Sequence, residues 1–90
     1  MGIMAVKIKI MPSSAEEDIE VLKEKVASML EANDGKNPSF ETEDIAFGLK
    51  ALIITFGWPE DKEFEEFENK LKTIDGVGSS ETIDMRKAFG

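Results

Sequence analysis

The sequence contains no histidine, no cysteine and no tyrosine. The commonest general base at neutral pH is therefore missing, and thiol chemistry, disulfides and Cys- or His-ligated zinc are excluded. Carboxylates, Lys, Ser and Thr remain as reactive groups, which points away from an enzyme of covalent chemistry. The carboxylates follow no EF-hand spacing and fall mostly on the wet sides of two amphipathic segments. They read as solubilising charge, so neither a metal nor a cofactor is expected. Gly76-Val77-Gly78 with Ser79-Ser80 has the composition of a phosphate loop. It leads from a helix into a strand, however, whereas phosphate cradles lie where a strand feeds a helix N-terminus. The glycines read better as the end of a helix. Two features remain. Phe47 stands next to Gly48 at the tip of a short hairpin, where no core residue is needed; such an aromatic is often unremarkable, and it is also the form of a binding anchor. The tail Met85-Arg86-Lys87-Ala88-Phe89-Gly90 sets two adjacent cations at the end of an acidic chain. Composition alone reads that pair as strand-end solubility.

The rest of the composition narrows the field. Ninety residues with a net charge of −8 make one domain, 1–90, with one modest core. So acidic a body repels phosphate backbones and anionic membranes, which argues against a nucleic-acid or membrane partner. No apolar run is long enough to span a bilayer. The N-terminus lacks the pattern of a signal peptide, and a cytoplasmic location is expected.

These residues must be held by regular elements. Met4 to Met11 alternates, with Val6, Ile8 and Ile10 on one side and Ala5, Lys7 and Lys9 on the other, as in a half-buried strand. Pro12 ends it. Ser13 and Ser14, ahead of Glu16 and Glu17, are capping-box candidates for a helix running to about Ala32. Ile19, Leu22, Val26 and Met29 form its apolar stripe. Asn33-Asp34-Gly35 is a stop signal. Pro38 to Ile45 resembles a polar edge strand, and Leu49 to Trp58 a central one. Glu60 to Thr73 reads as a second helix, with Phe64, Phe67, Leu71 and Ile74 inward. Val77 to Arg86 alternates as a last strand. Strand, helix, strand, strand, helix, strand in this length is the α+β, ferredoxin-like βαββαβ pattern. It predicts a four-stranded antiparallel sheet of order 4-1-3-2 with both helices on one face. The other face would stay open, carrying Lys7, Lys9, Ile53 and Thr55. RNA-recognition domains of this architecture stack bases on aromatics there, and none is present.

The segment Ile45 to Leu52, IAFGLKAL, is similar to the hairpin of the translation elongation factor 1-beta family. Val77 to Lys87, VGSSETIDMRK, resembles that family's C-terminal strand, and the start KIKIMP resembles its first. The uninterrupted coverage resembles the archaeal, single-domain form. The resemblance implies a guanine nucleotide exchange factor that promotes GDP release from elongation factor 1-alpha. It implies that Lys87 reaches the partner's magnesium and phosphate site. It also implies that Phe47 contacts the partner elsewhere, with Gly48, Met85 and Arg86 beside these two. Lys87 is followed by three residues where eukaryotic members are nearly at their end, and Ala51 replaces a second lysine. The alternative is a non-enzymatic ferredoxin-like module that binds a small ligand or pairs with itself through the open sheet face.

Overall fold

The computed structural model describes residues 2–89. Met1 and Gly90, the two ends of the expected 1–90 domain, lie outside the described residues. The elements are β1 (Ile3–Pro12), α1 (Ile19–Ala32), β2 (Lys36–Asp44), β3 (Lys50–Pro59), α2 (Glu65–Lys72) and β4 (Val77–Phe89). The strands form one antiparallel sheet in the order β2-β3-β1-β4. This is the expected 4-1-3-2 arrangement. The most apolar segments, β1 and β3, occupy its centre because only central strands are covered at both edges.

The alternation of β1 turns Val6, Ile8 and Ile10 inward, opposite Phe56, Ile54 and Leu52 of β3. The helices lie across this one face. Leu22, Val26 and Leu30 of α1 and Phe67 and Leu71 of α2 join the same buried cluster, and Phe64 packs at its margin. Leu30, not Met29, is the deep residue of the last turn of α1. At the α2 end Phe56, Trp58, Phe64 and Phe67 stack on one another with centroids 4.8–6.4 Å apart. Aromatic groups of this size contribute most of the burial available to a small core. The Trp58 indole N–H donates to the Lys62 carbonyl at 3.0 Å, so the ring is buried without an orphaned donor.

Both helices begin later than their sequence signals suggest. The Ser13 N–H donates to the Gly76 carbonyl at 2.8 Å, which ties that residue to the start of β4. Ser14 caps only a local turn, accepting from the Glu16 N–H. The true N-cap of α1 is Asp18, whose carboxylate accepts from the Glu20 N–H at 2.9 Å. In the same way, residues 60–64 are spent on a turn. The Lys62 N–H donates to the Pro59 carbonyl, and α2 starts at Glu65. Glu65, Glu66 and Glu68 then occupy its first turn and Lys70 and Lys72 its last, which suits the helix dipole.

The strict alternation expected for β4 does not hold. Thr82 pairs with Ile8 and Asp84 with Lys7, so Ile83 is an extra residue. Such a bulge moves every later side chain to the opposite face. Further shifts occur near Gly78 and Ala88.

The face away from the helices carries Lys7, Lys9, Ile53 and Thr55 as expected, but Ile53 is only 6% exposed. Lys9 on β1 and Glu43 on β2 form an ion pair of 3.2 Å across β3, roofing the row that holds Ala51 and Ile53. The lysine stem covers apolar surface while its charge stays in water.

Candidate functional site

Phe47 sits in the single turn Ala46–Gly48 between β2 and β3. The Ile45 N–H donates to the Leu49 carbonyl at 2.8 Å and closes the loop. The ring is 94% exposed. Its backbone lies in the left-handed region, φ 63° and ψ 32°, followed by Gly48 at φ 77°. Glycine takes this conformation freely, whereas a bulky L-residue is strained there by about 1–2 kcal/mol. An aromatic side chain that buries nothing, on a backbone that would suit glycine, contributes nothing to folding.

The tail lies at the other end of the sheet. Asp84, Met85, Arg86 and Lys87 pair in turn with Lys7, Val6, Ala5 and Met4. Cross-strand partners share a face. Met85 and Lys87 therefore stand on the helix side, and Asp84 and Arg86 on the opposite side. Arg86 is held by Asp84, with Nη2 2.8 Å and Nε 3.1 Å from one carboxylate oxygen. Met85 is exposed at the sheet edge. Lys87 is 56% exposed, and its Nζ lies 3.6 Å from Glu60 Oε1.

Phe47 with Gly48, and Lys87 with Met85, are thus two separate patches. The eight residue steps from Lys50 to Trp58 between them span about 26 Å at roughly 3.3 Å per residue. The chain's long dimension is 42 Å. Among the described residues no group of His, Cys, Asp or Glu side chains is placed to hold a metal, and no helix is long and apolar enough to cross a membrane. A shallow groove of about 500 Å³ opens where β2 parts from β3, lined by Ile3, Ala5, Asn37, Thr55, Gly57 and Ala88. Lys36, Asn37, Ser39 and Thr55 supply its polar lining.

Comparison with known proteins decides between an exchange factor and a ligand-binding module. Residues 5–88 match the family model described as EF-1 guanine nucleotide exchange domain. The chain belongs to this exchange-factor family. Its elongation factor 1-beta relatives include one from Methanocaldococcus jannaschii, 42% identical over 98% of this chain and 100% of the relative. Another, from Methanosarcina barkeri, is 38% identical over 94% of this chain and 97% of its own. A third, from Haloarcula marismortui, is 41% identical over 88% and 90%. The family's activity, guanine nucleotide exchange on elongation factor 1-alpha, is the function of this chain.

The sequence singles out Phe47 and Lys87 but gives no sign of the Glu60 carboxylate beside Lys87. Its pairing with Lys87 joins distant positions through the sheet, and no local spacing signals it.

Proposed function

We propose that this chain grips GDP-bound elongation factor 1-alpha at two points, anchoring with Phe47 and expelling nucleotide with Lys87. The observation that carries this reading is the arrangement of the two patches: an unburied, strained aromatic at one end and an exposed ammonium at the other. A GTPase holds its nucleotide largely through Mg²⁺ and backbone contacts to the phosphates. An ammonium entering that region competes with the ion for the same oxygens. A partner that binds the nucleotide-free state more tightly must weaken nucleotide binding by the same factor. No covalent step is involved, and the chain's own groups only bind and position. Gly48 shapes the anchor loop, and Met85 lies on the lysine's side of the strand. Arg86 borders the contact from the opposite face. The same reading has 1–90 acting as one exchange domain, in the cytoplasm where translation runs, without direct nucleic-acid contact.

The test is stopped-flow release of a fluorescent GDP analogue from elongation factor 1-alpha. Lys87→Ala should slow exchange far more than it weakens the complex. Lys87→Arg should restore only part, because a planar guanidinium replaces a compact ammonium poorly in an ion-sized site. Arg86→Ala should be milder, and added free Mg²⁺ should slow the wild type. Exchange by Lys87→Ala at the wild-type rate would refute the role given to Lys87.

A further inference from the structure

Lys87 is not free in the isolated protein. Its ammonium rests 3.6 Å from the Glu60 carboxylate, with the two side chains 56% and 42% exposed. The backbones beneath them are fixed. Glu60 directly follows Pro59, the last residue of β3, and its N–H donates to the Gly2 carbonyl at 2.9 Å. Lys87 is paired with Met4 on β1. Only side-chain torsions therefore make or break the contact.

We propose that Glu60 is a positioning residue that holds the Lys87 ammonium in a withdrawn position, so that exchange begins with its release. The proposal rests on the role of Lys87 given above. A carboxylate carried into a site rich in phosphate oxygens would meet like charge at short range. The Glu60 backbone is itself tied down, by its N–H on the Gly2 carbonyl just ahead of β1. The pair must part, and the lysine's flexible four-carbon stem permits it. The fraction of molecules with a released ammonium then scales the effective rate. An exposed pair of this kind is weak, so the restraint is modest, about two- to five-fold.

Glu60→Gln keeps the shape and removes the charge. At low ionic strength and subsaturating exchange factor, it should accelerate GDP release about two- to five-fold over wild type. The gain should shrink as salt is raised, because screening loosens the wild-type pair as well. It should be absent when Glu60→Gln is combined with Lys87→Ala. Glu24→Gln on the exposed side of α1 makes the same charge change and should not reproduce the gain. In the free protein, NMR of the lysine side chains should show Lys87 Nζ becoming more mobile in Glu60→Gln. A rate at or below wild type, a gain that persists without Lys87, or an equal gain from Glu24→Gln would overturn the proposal. If wild-type exchange does not depend on Lys87, the role of the lysine fails and the restraint fails with it. If exchange depends on Lys87 but ignores Glu60→Gln, the restraint alone fails.

Discussion

Phe47 shows what a residue reveals when its local energetics run against folding. Its ring is exposed, and its φ of 63° suits glycine. Phe47→Gly should therefore leave stability unchanged or raise it by less than about 1 kcal/mol, since relief of the left-handed strain is offset by a more flexible unfolded chain. The same substitution should weaken binding to elongation factor 1-alpha by about 1–3 kcal/mol, as loss of an aromatic anchor does. Thermal unfolding and titration calorimetry on one variant would thus move in opposite directions or decouple. A lower melting temperature with unchanged affinity would mean that the ring supports the hairpin instead. The sequence made Phe47 and Lys87 visible as residues without a structural task. It could not show that Phe47 is strained, because the turn geometry depends on how β2 and β3 are paired across it.

At the scale of elements, the start of α1 separates a signal from its use. Ser13 and Ser14 carry capping chemistry, yet the cap is Asp18; the Ser13 N–H bonds to Gly76 and the Ser14 hydroxyl accepts only within a local turn. Asp18→Ala should cost about 1 kcal/mol, the usual worth of an N-cap side chain. Ser13→Ala should stay within about 0.5 kcal/mol, as exposed positions do. Chemical denaturation of the two variants checks this, and a larger loss at Ser13 would place the helix start where the serines suggest. The same junction constrains Gly78. A Cβ there would lie 2.7 Å from the Pro12 carbonyl oxygen and 3.0 Å from Ser13 Cα, both backbone atoms. Gly78→Ala must push β4 away from the end of β1, and a loss of about 1–3 kcal/mol is expected from such overpacking. A wild-type melting curve for Gly78→Ala would show that the strand yields freely.

On the proposed reading, the whole molecule is a spacer between two contacts. The sheet's central strands are fully covered on the helix side and bridged by Lys9 and Glu43 on the other. Separation has a measurable consequence. Sites farther apart than about 10 Å with no shared partner act independently, within roughly 0.5 kcal/mol. The binding losses of Phe47→Ala and Lys87→Ala should therefore add in the double variant. Coupling well beyond that limit would mean that the two ends communicate through the sheet or through the partner. The roofed row on the open face also bears on self-association: Ile53 offers almost no apolar surface to a second copy. Ultracentrifugation should accordingly find no dimerisation that Ile53→Lys abolishes.

Alternation in β1, the apolar run of β3, the two stripes and their order determined the sheet, its strand order and the face the helices cover. These are short-range periodicities, and a single buried face enforces them. The motifs around Phe47 and Lys87 likewise determined the family. Three things were decided only by the tertiary structure. The helices start only after local turns, closed by the Glu17 N–H on Ser14 and the Lys62 N–H on Pro59, so α1 is capped at Asp18 and α2 begins at Glu65. Ile53 is covered because charges from two other strands meet above it. The face on which Lys87 stands is set by the bulge at Ile83. Simple alternation groups Lys87 with Glu81 and Ile83, but the extra residue separates it from Glu81 and turns it to the side of Met4 and Glu60. A bulge arises from the fit of one strand to its neighbour and leaves no mark in the period of either, which is why the ion pair it creates could not be read from the chain alone.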